Sequence, residues 1–549
     1  MKKKNGFTLI ELLAVVVILA VIALIATPLI LGIINDARKG AFKNTAYGIL
    51  EAGKFTYTSA IVKTGEIDST AFTYVDGVET SNPSGRKLEY KGEKPQSGTV
   101  VLNSEGKMAI AIYNGSYCAE KDYDDVEVTI SQKTAAECQV VFNADLSGAS
   151  VPELSTNMIP IKWDGGKWIK ADVNNVLGTK QWYDYNARQW ANVALVSQAS
   201  RAGYVSAAAG TEVNEADVMA YLVWVPRYKY KLFNVAAISV AVQKIDVVFE
   251  DKTKTKSNGS TDGTYLTHPA FTFGTTELNG IWVGKFEVTG NATTPTIKPS
   301  VVALTSQVVS VQFATSQLFN TTTTYGLTAA NDAHTIKNTE WGAVAYLSQS
   351  DYGKYTNPTY TGAVGLEKEI YINNNSVASA GAAITGCAGN SVSAANVIST
   401  TCANLYYTTQ GVKASTTGNI YGVYDMVGGS GERSMGMMYS PGNTSILLQN
   451  SGFVQATIDS ATMAKYVDKY NNGTALDDQA AYNRRILGDA SGEVRAWNGD
   501  NAQMTGDSWP CIRRGFRNTD LATTGIFAFG RSDCSASAFY GFHITLISG

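Results

Sequence analysis

The stretch LLAVVVILAVIALIATPLILGII, from Leu12 to Ile34, contains no charged residue. As a helix it is long enough to cross the roughly 30 Å hydrocarbon layer of a bilayer, for which about 20 residues suffice. Hydrocarbon offers the backbone no hydrogen-bond partners, so a lone segment of this kind must be helical. Lys2, Lys3 and Lys4 precede it, which predicts a cytoplasmic N-terminal end and places everything after Ile34 outside. A cleavable secretory signal has a shorter apolar region and a small-residue cut site behind it. Here the cut site, Gly6-Phe7, comes before the apolar run, so the helix is expected to stay on the mature chain.

Glu11 sits just inside the run. An ionised carboxylate in a bilayer costs roughly 2.5–3.5 kcal/mol on insertion scales, so such groups usually have a partner. A cut after Gly6 would put the α-amino group of Phe7 one helical turn from Glu11. In a stack of such helices, the amine of one subunit would then neutralise Glu11 of its neighbour. Snorkelling to the interface is the competing explanation, and the short glutamate side chain suits it poorly.

KKKNGFTLIELL resembles the leader and processing site of type IV prepilins and related pseudopilins. The resemblance implies a prepilin peptidase that cuts after Gly6 and methylates Phe7, an assembly role for Glu11, and a helix kink at Pro28. It also implies other pilin subunits as partners in a homo- or hetero-oligomeric filament. Similar leaders occur on pseudopilins of secretion or DNA-uptake machines. Residues 1–6 are then a leader and 7–62 a transmembrane and assembly helix, whose second half carries Ala37, Ala41, Ile49, Ala52 and Phe55 at amphipathic spacing. Gly40, Gly48 and Gly53 weaken that half.

Residues 63–145 read as a small antiparallel, pilin-type head, because LEYKGEKPQSGTVVLNSEGKMAIAIYNGSYCAEK alternates apolar and polar residues between turn signals. Asp122, Asp124 and Asp125 invite calcium but lack an EF-hand loop, so no cofactor is expected. Residues 146–215 concentrate Trp163, Trp168, Trp182 and Trp190 and read as a connecting module whose aromatics pack onto the next domain. A net charge of −3 with no basic run beyond the leader argues against nucleic acid as a partner. The six cysteines fall in neighbouring pairs, Cys118/Cys138, Cys387/Cys402 and Cys511/Cys534. In an exported chain, disulfides within each pair are the natural assignment, although sequence alone leaves the connectivity open.

From 216 to 549 a second resemblance runs through YLVWVPRYKYKLF, GIWVGKFEVTGN, NTEWGAVAYLSQ, GNIYGVYDMVGGSGERSMG, RRILGDASGEVRAWNGD, SWPCIRRGFR and YGFHITL. These segments are similar, in order, to those of the formylglycine-generating enzyme (sulfatase-modifying factor) family, which implies a large loop-rich domain of C-type-lectin-like fold. The expected fold class is α+β throughout. The family's oxygen-dependent enzymes need two reactive cysteines a few residues apart, and Cys511 has no such neighbour. Gly431 replaces the family's tryptophan, while Glu432 is retained. GGSG at 428–431 is not followed by a helix pattern, so it is no phosphate loop.

Without a redox partner for Cys511, the expectation is a non-enzyme. An extracellular enzyme of the formylglycine-generating type is the rival. Loops on such a scaffold suit recognition. Arg513, Arg517, Arg531, Asp533, Tyr540 and His543 are the candidate contacts for an unidentified surface ligand, being of the types that dominate binding hot spots. Phe527 and Phe529, at strand spacing, read as core. The closing segment also resembles the variable region of diversity-generating retroelement targets. The combined expectation is a filament subunit, membrane-anchored before assembly and surface-exposed after it, that carries an adhesin-like domain.

Overall fold

A computed structural model describes residues 8–64, 70–82, 85–102, 106–123, 125–138, 145, 147–175, 179–232, 245–254, 265–354, 370–378, 381–439, 450–471, 486–494, 499–506 and 508–548. They fall into two compact units, Met1–Ala144 with Val176–Gly178 and Asp145–Asn175 with Thr179–Gly549. The architecture is α+β, with mostly antiparallel sheets and few helices.

The first unit begins with one long helix, α1 (Leu9–Thr64). It runs without a break through position 28, where the sequence implied a kink. Among the described residues no helix is long and apolar enough to cross a membrane. The run from Leu12 to Ile34 includes positions 25, 28 and 29, whose side chains fall outside the described residues. Leu9 to Leu24 are nevertheless exposed along α1 wherever they are large and apolar.

The buried stripe on the second half of α1 differs from the expected one. Phe42, Ala46, Ile49, Leu50 and Ala52 face inward, at the three- and four-residue steps that line one helix face. Ala37 and Ala41 are exposed, and so is Phe55. The pattern read from sequence thus lay partly on the wrong face. Gly53 has a purpose beyond weakening the helix, since a Cβ there would lie 2.0 Å from Met108 Sδ.

Against this face lies an antiparallel sheet. Its strands are β1 (Thr70–Val75), β2 (Val78–Asn82), β3 (Ser97–Leu102), β4 (Met108–Tyr113), β5 (Cys118–Lys121) and β6 (Thr129–Ser131), in the order β2-β1-β3-β4-β5-β6. Strand alternation turns Phe72, Tyr74, Val100, Leu102, Ile110 and Ile112 toward α1. Ala71, Val101, Ala109 and Ala111 gather on the other face. A Cys118–Cys138 disulfide fastens β5 to the segment that ends this unit.

The second unit is organised by a seven-stranded sheet. It contains β7 (Ile159–Asp164), β8 (Lys167–Lys170), β9 (Asn192–Val196) and β10 (Val218–Pro226), followed by the strands Gly280–Gly284, Ile544–Leu546 and His334–Thr335. Because β9 pairs with β10, the boundary read near 215 falls inside one sheet. The tryptophans explain why. Trp168, Trp182 and Trp190 are buried in the same core as Trp224 and Trp282, and Trp163 is half-buried against it. Several indole N–H groups are satisfied there, Trp182 donating to the Asn192 carbonyl at 2.8 Å and Trp190 to that of Tyr352 at 2.7 Å.

A second sheet positions the C-terminal candidates. The strand Gly431–Tyr439 lies between Asp468–Asn471 and Cys511–Arg514, and the latter pairs outward with Phe529–Ser532. The short strand Tyr540–Gly541 runs parallel to Gly431 and Glu432. Three residues later the chain enters the seven-stranded sheet, so the segment 540–546 stitches the two sheets together.

Candidate functional site

At the N-terminal end, Glu11 is held by the residue that starts its helix. The Thr8 backbone N–H and hydroxyl donate to Glu11 Oε2 at 2.9 and 2.8 Å, and the Glu11 N–H donates back to the Thr8 hydroxyl at 3.4 Å. This is a capping box, with Thr8 as N-cap and Glu11 three residues on. The T-x-x-E spacing was readable in the sequence, yet Thr8 was not singled out there. Gly6 and Phe7 lie outside the described residues, as does the side chain of Pro28.

The cysteine candidates form three disulfides, Cys118–Cys138, Cys387–Cys402 and Cys511–Cys534. Cys511, the thiol on which formylglycine-type chemistry would rest, is therefore bonded and buried. Asp122 and Asp125 serve their own turn, Asp125 accepting from the Asp122 N–H at 2.9 Å, while Asp124 lies outside the described residues.

The C-terminal candidates separate into two layers. Arg513, Arg517, Arg531, Asp533 and Tyr540 are half-buried at the surface of the second sheet. Arg513 directly opposes Arg433 across the strand pair, and its other neighbour is Gly530. The Arg513 guanidinium lies 4.3 Å from the Phe516 ring centre, and one of its N–H groups meets the Tyr540 hydroxyl at 3.4 Å. Arg433, fully buried, stacks 4.6 Å from the Tyr540 ring. Arg517 stacks on Phe539 at 5.0 Å and is paired with Asp520 at 2.9 Å. Asp533 turns inward on its own loop, where it accepts from the Ser535 hydroxyl at 2.8 Å and backbone N–H at 3.1 Å.

His543 belongs to the layer beneath and cannot meet a surface ligand. Its ring is fully buried where the chain passes between the two sheets, with Nδ1 at 2.5 Å from Glu432 Oε2. Burial lowers the histidine pKa to about 4 and pushes Glu432 well above the ordinary carboxylate range. Glu287 is raised by burial, then by Glu432 and Asp425. Asp425, also raised by burial, accepts from the Gly386 N–H at 2.9 Å and the Asn373 amide at 2.8 Å. Three buried carboxyl groups thus share one small volume, which favours their protonated forms.

Sequence reasoning missed Arg433 and Lys285. Lys285 is fully buried, donating to Asn192 Oδ1 at 2.8 Å and to the carbonyls of Ile420 at 2.6 Å and Gly422 at 2.9 Å. It lies 5.4 Å from both the Trp168 and Tyr424 ring centres. Burial pulls its pKa well down. Nothing in the local sequence marks a lysine that the fold encloses.

Residues 1–27 match the prokaryotic N-terminal methylation motif. The match supports a type IV prepilin-like N-terminus. No curated protein matches the chain.

Proposed function

We propose that this chain is a prepilin-like surface protein, cut after Gly6 and assembled through α1 into a type IV pilus-like filament that displays a non-catalytic, adhesin-like second unit. Before processing, the 12–34 run spans the membrane with its N-terminus cytoplasmic. The observation that carries the reading is the methylation motif at the head of a 56-residue helix whose second half packs on an antiparallel sheet. The order of a greasy helix, an amphipathic continuation and a small head is the one a filament core with outward domains requires. The same leader heads pseudopilins of secretion and DNA-uptake machines, which are the alternative assembly.

The second unit we read as a C-type-lectin-like domain resembling the formylglycine-generating family, with binding in place of catalysis. The Cys511–Cys534 bond supports this, because it occupies the thiol such chemistry would use. A domain of this size beside a head suits a minor or tip subunit better than the bulk subunit of a dense filament. Mass spectrometry of surface-extracted protein tests the reading: the expected N-terminus is methylated Phe7, and an intact Met1 N-terminus sinks it. Immunogold labelling of the second unit on whole cells separates filament and tip placement from a periplasmic pseudopilus.

A further inference from the structure

Arg433 and Arg513 stand directly opposite each other on adjacent antiparallel strands. Such partners share a face with Cβ atoms about 5 Å apart, and like charges there oppose pairing. Neither forms an ion pair with a carboxylate among the described residues. Arg433 donates through its two terminal nitrogens to the backbone carbonyls of Gln307, at 3.2 Å, and Ser535, while its buried Nε has no partner among the described residues. Asp533 makes its charge felt at Arg433, although its own oxygen is occupied by Ser535. Arg513 has the Tyr540 hydroxyl at 3.4 Å and the Phe516 ring, and its buried Nε has no partner. Gly530 keeps the neighbouring strand clear of this guanidinium, since a Cβ there would come within 2.8 Å of Arg513 Nε. The fold therefore maintains a half-buried cation, reinforced by a second one beneath, at the edge of an aromatic face.

Resting on the binding role proposed above, we infer that this face takes an anionic polysaccharide, with a carboxylate or sulfate of the sugar held at Arg513 beside Tyr540. An arginine fork matches such groups bidentately. Tyr540 and Phe539, half-buried beside it, offer flat apolar contact at low entropic cost. Ala536 and Ala538 are the exposed neighbours on the same loop, and their small side chains leave the face low enough for a sugar ring to lie on it. An acidic peptide would use the arginine and leave the rings unexploited.

The test measures binding of full-length, detergent-solubilised protein to immobilised alginate (uronate), heparin (sulfate), neutral dextran and polyglutamate. The expected result is binding to alginate, heparin or both, weakened by salt, with none to dextran, and the two polyanions tell which anionic group is preferred. Arg513→Gln should lower that affinity tenfold or more. Tyr540→Phe, which keeps the ring under Arg433, should lower it several-fold and provides the readout if the arginine variant fails to fold. Equal binding to dextran, an unchanged affinity in folded Arg513→Gln, or binding to polyglutamate alone overturns the inference. So does the absence of binding to all four probes. Methyl-Phe7 detection reports the filament reading separately, so failure of one is not failure of the other.

Discussion

Thr8 and Glu11 satisfy each other across the first turn of α1, the carboxylate accepting from the threonine N–H and hydroxyl at 2.9 and 2.8 Å. The group expected to pair with a neighbouring subunit therefore has a local partner within its own chain. The capping box orients the carboxylate at the helix start.

Separating these two roles gives the first prediction. Glu11→Ala should leave membrane insertion intact and abolish or strongly reduce filament incorporation. Thr8→Ala loses the cap while keeping the charge, so incorporation should fall only modestly. Quantitative immunoblotting of sheared filaments against membrane fractions reads both, and equal incorporation of Glu11→Ala and wild type would refute the assembly role.

His543 supplies a pH prediction. Its folded-state pKa of about 4 lies below the 6.5 of the unfolded side chain. Between those values the unfolded chain binds a proton that the folded one refuses, so stability falls as pH drops from 6.5 to 4. One such group contributes up to about 1.4 kcal/mol per pH unit over that interval. His543→Gln should flatten the acid slope of the second unit in denaturant titrations at pH 6.5, 5.5 and 4.5; an unchanged slope would rule this out. Glu287 and Glu432 act in the opposite sense. Their raised values mean stability declines as pH climbs above the unfolded carboxylate range.

Lys285 is the third. Three acceptors and two rings converge on its ammonium group, so Lys285→Met leaves buried oxygens without a donor. Each abandoned acceptor costs about 1–3 kcal/mol. A lowered thermal midpoint is expected, and a midpoint at or above wild type would contradict it.

Gly342 is the fourth. It lies in the buried helix Asn338–Ser348, where a Cβ would fall 1.9 Å from the Gly488 carbonyl oxygen. Alanine ordinarily gains up to about 1 kcal/mol in a helix. Here the obstacle is backbone, which cannot rotate aside, and overpacking costs typically about 1–3 kcal/mol. Gly342→Ala should therefore destabilise, as chemical denaturation would show; a stabilised variant would mean the helix can shift.

How far the sequence could be read depended on how local each feature is. The T-x-x-E cap and the strand alternation of the head follow from spacing over a few residues. Phe527 and Phe529 are both buried, but Phe527 lies in a turn ahead of the strand Phe529–Ser532 and joins a different cluster. The buried stripe of α1 was read partly on the wrong face because small residues such as Ala37 and Ala41 carry a weak signal either way. His543 was misplaced for a different reason. It follows Tyr540 by only three residues, but the crossing from one sheet to the other turns it inward onto Glu432, a partner 111 positions away.

By itself the sequence determined the N-terminal pattern: Gly6-Phe7 before an apolar run, and a lone carboxylate at its start. Each is set by residues within one or two helical turns and by the solvent they must meet. Tertiary structure alone decided that β7, β8 and β9 share a sheet with the rest of the second unit. It alone enclosed Lys285, and it alone set Arg433 opposite Arg513. Those pairings join positions tens to hundreds of residues apart, where burial and strand register, not local spacing, choose the neighbours.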